Sequence, residues 1–474
     1  MADLSILNGK TYFIRTFGCQ MNLHDSERVS GLLDTCGCLQ AAEPADADIV
    51  IFMTCCVREA ADTRLYGQCS SCKSLPASPS GTRVVAVGGC IAQRDGEGLL
   101  TNLDNVDVIF GTHSIAHVAD LLADAFARGG HHVRVEEIDS GSATDMPWHR
   151  ETAYHAWVPI MTGCNNFCSY CIVPYVRGRE KSRPMDEIVD EITGLARQGV
   201  RSVTLLGQNV NSYGRDHGSD PRFAELLRRV GDTGIERIYF TSSHPKDLLP
   251  ETIDAMAEVP SVMPQLHLAV QSGSSRILKL MNRRYTREHY LELVASARER
   301  IPNIALTTDI IVGFPGETEE DFEQTLTLVD EAKFAQAFTF IYSKRAGTPA
   351  AEIDDPTPRE VIQERFDRLV KRVEDSAFTY NQGALNTVVP MLIEGTSKKN
   401  DRVLQGKSPW NQTVHCPVPA GFDASQLACL YLYSALFFRL SVKRSRDSAS
   451  VQSYRHIGSL EDVGRSRHLS LIHI

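Results

Sequence analysis

The sequence predicts an α/β protein of three successive units: a parallel sheet flanked by helices, a larger run of β/α units forming a partial (β/α)6 barrel, and a small C-terminal β-barrel. Three observations predict it. From residue 10 to about 127, short apolar runs alternate with longer stretches of helical period. The alternation resumes with larger units from about 150 to 380. Beyond 382 the helical period gives way to short alternating runs rich in Val, Leu and Ile. At 474 residues the chain is also too long for one ordinary domain.

In the first unit, 10–127, the apolar runs at 11–17, 48–53, 83–87 and 106–110 read as strands, and 26–35, 59–73 and 114–128 read as helices. Residues 76–81, rich in Ser and Pro, form a loop. Gly129-Gly130-His131-His132 through Gly141 and Pro147 reads as a linker. In the second unit, 150–380, strands are expected at 157–161, 202–206, 237–241, 265–270, 305–312 and 336–342, with helices between them such as 185–198 and 287–300. In the third, 382–428, strands are expected at 387–394, 403–406 and 412–415. The tail, 429–474, turns Ser- and Arg-rich, and Leu469-Ser470-Leu471-Ile472-His473-Ile474 is what a transposase-end adapter string would encode. It is therefore expected to be a non-native translation and is set aside from fold reasoning.

Composition narrows the function classes. Hydrophobic residues at 42% and charged residues at 23% are ordinary globular usage, so neither a disordered nor a fibrous chain is expected. No apolar run reaches the ~18 residues of a membrane span. The opening Met1-Ala2-Asp3-Leu4 lacks a basic segment leading into an apolar stretch, so a cytoplasmic chain with no membrane partner is expected. A net charge of −10 excludes a globally basic surface but not local patches. Three stand out: Arg177, Arg179, Lys181 and Arg183; Arg283, Arg284 and Arg287; and Lys398, Lys399, Arg402 and Lys407. Each suits RNA phosphates as well as it suits a plain solvated face.

Thirteen cysteines in a chain of this kind point to metal or redox chemistry rather than disulfides. Gly163-Cys164-Asn165-Asn166-Phe167-Cys168-Ser169-Tyr170-Cys171 follows the first strand of the second unit. Three thiolates on one tight loop suit three irons of a [4Fe–4S] cube and leave the fourth open to a small molecule. A zinc ribbon would need a second pair nearby, and none follows until Cys416.

This loop resembles the signature of the radical S-adenosylmethionine superfamily. The resemblance implies that the open iron chelates S-adenosylmethionine, whose reductive cleavage yields methionine and a 5′-deoxyadenosyl radical. It also implies cofactor contacts at strand ends: Gly207, Gln208 and Asn209 after the second strand, Gln271 after the fourth, and Asp309 and Gly313 at the end of the fifth, with Tyr170 near the adenine.

Three further cysteines lie just beyond N-terminal strands: Cys19 after 11–17, Cys55 after 48–53 and Cys90 after 83–87. Parallel strands bring their C-terminal ends to one sheet edge, so these thiols can converge on a second cluster with an open iron. Cys56 competes with Cys55. Cys36-x-Cys38 and Cys69-x-x-Cys72 have no matching second pair and read as structural.

Together the two triads and the terminal β unit resemble the methylthiotransferase family, over residues 10 to about 426. The family's Thr-Cys-x-x-Arg-Glu pattern favours Cys55. Gly18-Cys19-Gln20-Met21-Asn22, Val57-Arg58-Glu59, Gly111-Thr112-His113 and Glu394-Gly395-Thr396-Ser397 look like the branch acting on N6-dimethylallyl-adenosine in tRNA. The resemblance implies two [4Fe–4S] clusters, one on Cys164, Cys168 and Cys171 that holds S-adenosylmethionine, and one on Cys19, Cys55 and Cys90 that delivers sulfur. It implies methylthiolation of adenine C2 at position 37 of tRNAs reading codons that begin with U. An external reductant of flavodoxin or ferredoxin type and a monomeric enzyme are expected. The β unit resembles a TRAM domain, an RNA-binding module, and departs from it after about Gln426. The branches acting on a ribosomal protein or on threonylcarbamoyl-adenosine remain the alternative.

Overall fold

A computed structural model describes residues 2–56, 59–137, 147–150, 152–218, 220–384, 387–418, 431–436 and 471–473. The expectations for Val57-Arg58, for the barrel end near Gln426 and for most of the tail fall outside these residues.

The N-terminal part is a six-stranded, wholly parallel sheet. Its strands are β1 (Thr11–Thr16), β2 (Leu39–Gln40), β3 (Ile49–Thr54), β4 (Val84–Gly89), β5 (Val108–Phe110) and β6 (His132–Arg134), in spatial order β2-β1-β3-β4-β5-β6. β3 and β4 are buried along their whole length, as central strands covered on both faces must be. The helices are α1 (Gln20–Thr35), α2 (Glu59–Ser71), α3 (Cys90–Asp95) and α4 (Val118–Arg128).

Two local expectations change. Helix α1 begins at Gln20, six residues before the apolar period suggests, because its first turns carry polar residues that are nonetheless buried: Asn22, His24, Asp25 and Glu27. The β/α units that follow in the chain contribute to covering that face; α1 packs against the strand His155–Pro159. The stretch expected to be a linker contains β6. Gly129 and Gly130 take φ of 63° and 78° and turn the chain from α4 back into the sheet beside β5.

The next six β/α strands are β7 (His155–Pro159), β10 (Ser202–Leu206), β11 (Arg237–Phe240), β12 (Gln265–His267), β13 (Ala305–Val312) and β14 (Gln336–Ile341); a short antiparallel pair, β8 (Met161–Thr162) with β9 (Lys181–Ser182), lies between the first two. Two parallel three-stranded sheets, β7-β10-β11 and β12-β13-β14, are joined by single bridges Ile238–Val262 and Ser243–Leu268. This is the open, partial barrel that the alternation predicts. One continuous apolar core runs from Ala156 and Val158 through Leu266 and Val312 to Leu369 and Val373.

The C-terminal strands β15 (Thr387–Ser397), β16 (Asn400–Lys407) and β17 (Thr413–Pro417) form an antiparallel sheet. β18 (Tyr431–Leu436) pairs antiparallel with β15, and β19 (Leu471–His473) lies beside it. The tail thus contributes strands, against expectation: Tyr431-Leu432-Tyr433 has high β-propensity and the open edge of β15 offers a ladder. Among the described residues the sheet does not close into the expected barrel, since β17 and β19 remain at opposite edges. No helix among them is long and apolar enough to cross a membrane.

A buried guanidinium fastens this sheet to the partial barrel. Arg237, 2% exposed at the start of β11, donates to the Lys407 carbonyl at 2.7 Å and the Pro390 carbonyl at 3.0 Å. Tyr239 Oη donates to the Ser408 carbonyl at 3.1 Å. Arg237→Met should leave those two carbonyls unpaired, at about 1–3 kcal/mol each. The expected result is faster hydrogen exchange in β15 to β17 with the parallel sheets unaffected; equal protection in both proteins would contradict the latch.

Candidate functional site

The N-terminal cysteines gather at one sheet edge. β1, β3 and β4 are neighbours, so the residues after their C-terminal ends, Cys19, Cys55 and Cys90, lie side by side. The Cys55 thiol donates to Cys19 and the Cys56 thiol to Cys90, which draws the Cys19 and Cys90 thiols downward in pKa and pushes Cys56 upward. Glycines make room for this packing. At Gly18, φ +106°, a Cβ would stand 2.1 Å from Cys55 Cβ, and at Gly89, φ +91°, 2.6 Å from the Thr54 carbonyl. Cys55 and Cys56 are 2% and 0% exposed, so burial does not separate them. Their neighbours differ: Cys55 lies against Gly18, the residue before Cys19, whereas Cys56 sits in the apolar cluster with Val50, Phe52 and Cys90.

The second triad rides on the loop after β8. Gly163, φ +78°, lets the loop pass the Arg179 carbonyl, which a Cβ would meet at 2.0 Å. The Cys171 amide donates to the Cys168 carbonyl at 2.9 Å, and Ser169 is tied by its amide to the Met281 carbonyl at 3.0 Å. Burial pushes the Cys164 thiol up to about 11 and the Cys171 thiol up to about 12, so neither is a free thiolate without a cation to stabilise it. Arg283, 4% exposed, donates from Nη1 to Cys168 Sγ at 3.6 Å and from Nε to Tyr285 Oη at 2.9 Å.

Both triads reach one cavity of about 1110 Å³. Gly18, Cys19, Cys55 and Cys56 line it together with Tyr170 and Cys171, and Gln271 and Asp309 open onto it as well. Cys90, Cys164 and Cys168 are not part of the lining. Gln271 holds a φ of 70° and Ser242, also in the wall, 62°, unusual backbone for such residues and stationed at strand ends. Asp309 Oδ2 stands 3.4 Å from His267 Nε2.

Gly207, Gln208, Asn209 and Gly313 are not part of the lining. Gly207 packs on Met161, Asn209 donates to Asp247 Oδ2 at 2.7 Å, and the Gly313 amide donates to Glu317 Oε2 at 2.8 Å. Around them, buried polar atoms stand without partners: Gln208 Oε1, Asn209 Oδ1, both amide atoms of Asn211, Ser243 Oγ and His244 Nε2. Lys246 connects this group to the cysteine loop, donating to Asn166 Oδ1 and lying 3.4 Å from Asp247. Unpaired buried polar atoms call for a polar ligand, and a zwitterionic small molecule fits them.

The donor sets fit iron–sulfur clusters. Each is three soft thiols on glycine-shaped turns. Among the described residues no three His, Cys, Asp or Glu side chains close around a single ion, as a zinc site would require.

Two of the cations expected to hold RNA phosphates do not face solvent. Arg177 is 7% exposed and ion-paired with Asp25 at 3.0 Å, and Arg283 is spent on Cys168 and Tyr285. Arg183 pairs with Glu191 at 2.8 Å and Arg287 with Glu331 at 2.7 Å. Lys398, Lys399 and Arg402 are exposed on the C-terminal sheet. Lys407, singled out as a cation for RNA phosphates, lines the cavity instead, and sequence reasoning missed the part of the wall made by Trp157, Phe338, Ile341, Trp410 and Gln412. No spacing signal marks these five residues, since they come from two distant strands and a loop.

Comparison with known proteins agrees with this architecture. The Radical SAM superfamily matches residues 158–329, and a family described as uncharacterized protein family UPF0004 matches residues 11–111. The chain is 48% identical over 421 residues to the tRNA-2-methylthio-N(6)-dimethylallyladenosine synthase of Streptomyces viridosporus, covering 88% of this chain and 83% of that protein. It is 49% identical over 409 residues to the enzyme of the same name from Acetivibrio thermocellus, covering 86% and 85%. The fold is similar to that of a radical S-adenosylmethionine methyltransferase, TsrM, from Kitasatospora setae, solved with cobalamin and a [4Fe–4S] cluster, at a TM-score of 0.53 and 14% identity over 72% of this chain and 74% of that one. With half its residues shared across nearly the whole length of such relatives, and with both cysteine triads set around one cavity, the chain belongs to the tRNA-2-methylthio-N(6)-dimethylallyladenosine synthase family of radical S-adenosylmethionine enzymes.

Proposed function

We infer that the chain methylthiolates C2 of N6-dimethylallyl-adenosine at position 37 of tRNAs reading codons that begin with U. One observation carries the reading: two separate cysteine triads border the same cavity. The C2–H bond of adenine is unactivated, so acid–base groups alone cannot replace it. When bound, the two [4Fe–4S] clusters and S-adenosylmethionine supply a carbon radical and a transferable sulfur. Cys164, Cys168 and Cys171 would hold the cluster that binds S-adenosylmethionine, and Cys19, Cys55 and Cys90 the one that delivers sulfur. An external one-electron reductant completes the requirement.

The remaining residues bind, orient and exclude water. Tyr170, Gln271 past the end of β12 and Asp309 within β13 reach the cavity that Cys171 lines, with Gly207, Gln208, Asn209 and Gly313 shaping the turns behind it. The cavity is larger than the ~300–1,000 Å³ usual for one small ligand, which leaves space for a base extruded from a single-stranded loop. Trp157, Phe338, Ile341 and Trp410 give it apolar area for a prenyl group. Such a pocket favours prenylated over plain adenosine by roughly 10–200-fold. In this reading 10–127 carries the sulfur site, 150–380 the radical site and 382–428 a TRAM-like RNA-binding unit, with 429–474 a non-native tail whose strands β18 and β19 extend the edge of that unit's sheet. The enzyme acts as a cytoplasmic monomer.

Mass spectrometry of tRNA nucleosides from cells with and without the gene tests the reaction. The 2-methylthio nucleoside should vanish and its prenylated precursor accumulate; an unchanged nucleoside profile would refute the reading.

Anaerobically reconstituted protein should hold about eight irons, two four-iron cubes. Replacing Cys164, Cys168 and Cys171 by Ala should leave about four and abolish cleavage of S-adenosylmethionine. Replacing Cys19, Cys55 and Cys90 by Ala should preserve measurable cleavage but eliminate methylthio product. Cys55→Ser should cost the N-terminal iron, whereas Cys56→Ser should retain it; the reverse order in iron analysis would reassign the ligand.

RNA binding should depend on the exposed cations rather than on Arg177. Changing Lys398, Lys399 and Arg402 together to Glu should weaken tRNA binding and flatten its salt dependence, by about one unit of log–log slope per lost phosphate contact. An unaltered salt slope in filter binding would remove the C-terminal sheet from the RNA interface.

A further inference from the structure

Six residues beyond Cys171 the chain leaves the partial barrel and enters the N-terminal unit. The short helix α5 (Val173–Val176) carries it there. Thr112 Oγ1 donates to the Val176 carbonyl at 2.7 Å, and Ile172 and Val176 pack in the same apolar cluster as Val87 and Cys90. The next residue, Arg177, therefore arrives buried at the N-terminal cysteine site. Its Nη2 donates to Asn22 Oδ1 at 3.1 Å and to Asp25 Oδ2 at 3.0 Å. Both acceptors lie in the opening turns of α1, whose N-cap is Cys19. Asn22 is itself fixed at the site: its backbone amide donates to the Cys19 carbonyl at 3.0 Å, and its side-chain amide donates to the Phe17 and Thr54 carbonyls at 2.8 Å each, Thr54 being the residue before Cys55, so the guanidinium is seated beside two of the three cysteines.

A buried arginine stranded without partners would be costly, and Asp25 compensates one charge. A triad of thiolates on iron brings further negative charge to the same place. Arginine cannot lose its proton in a protein, so the charge it contributes is constant across working pH. Net charge and hydrogen bonding around the sulfurs are what set an iron–sulfur potential.

We propose that Arg177 is a positioning residue for the N-terminal cysteine site: held by Asn22 and Asp25, it supplies the fixed positive charge that sets the reduction potential of the cluster on Cys19, Cys55 and Cys90, and it couples that site mechanically to the loop bearing Cys171. The proposal rests on the two-cluster reading above. It assigns to the redox site a residue whose place in a basic run suggests RNA.

The test isolates the N-terminal cluster in the protein carrying Cys164→Ala, Cys168→Ala and Cys171→Ala, reconstituted anaerobically. Iron per chain, the electron paramagnetic resonance signal of the reduced cluster and the reduced fraction at poised potentials are compared for this parent, Arg177→Met, Arg177→Lys and Asp25→Asn. Arg177→Met should keep its iron and lower the reduced-to-oxidised ratio at the parent midpoint about tenfold, equivalent to 59 mV for one electron. Arg177→Lys should restore most of the ratio, and Asp25→Asn should move it the opposite way. Full iron and an unmoved potential in Arg177→Met would overturn the proposal and leave Arg177 a packing residue. If Arg177→Met holds no iron, Asp25→Asn decides: a raised reduced fraction supports the charge role and an unchanged one overturns it. An iron-free parent would instead refute the second cluster itself.

Discussion

In a parallel sheet every strand ends on the same edge, and the loops that follow are forced together whatever their separation in sequence. The whole site depends on this constraint. β1, β3 and β4 are neighbours in a six-stranded parallel sheet, so thiols at positions 19, 55 and 90 become adjacent. The partial barrel applies the same rule to Ser242 and Gln271, just past the ends of β11 and β12, and to the loop after β8 that carries Tyr170 and Cys171. Both edges face one cavity, and the chemistry requires that meeting, because a radical centre and a sulfur donor must reach the same carbon.

Charge is arranged around that cavity with the same economy. Each cysteine triad has one buried guanidinium: Arg177 acts on Cys19 and Cys90, and Arg283 bonds to Cys168. Neither thiol set is left to ionise in apolar surroundings unaided. Burial pushes the Cys38 and Cys69 thiols up to about 12, and Cys171 of the second triad equally, so what separates the pairs at 36/38 and 69/72 from the triads is place in the fold: neither pair lines the cavity. Arg237 plays a different part. It holds the C-terminal sheet so that Lys407, Trp410 and Gln412 complete the wall of the cavity rather than hang from a tether.

Much of the fold was legible in the alternation of short apolar runs with helical period. The strands at 202–206 and 305–312 and the helix at 287–300 stand where that period places them. The misses have physical causes. The start of α1 is hidden because its polar face is buried by distant strands, which defeats an amphipathic reading. β6 is hidden because three residues behind two glycines carry no period. β18 is hidden because it lies inside an apolar run, Leu427 to Phe438, that has no two-residue alternation to mark a strand. The basic runs misled for a related reason: sequence shows that arginines are clustered, not which way they point, and Asp25, 152 positions away from Arg177, decided the matter.

By itself the sequence determined the α/β class and the partial barrel, and its 164/168/171 spacing marked out one set of three cysteines, because spacing and periodicity are local properties that adjacent residues can encode. Only the tertiary structure decided that Cys19, Cys55 and Cys171 border one cavity, that the cavity wall includes the C-terminal sheet, and that Arg177 and Arg283 are buried among protein partners rather than turned to solvent. Those are facts of which surfaces meet. They arise from packing one sheet edge against another, and no window of sequence contains both sides of such a contact.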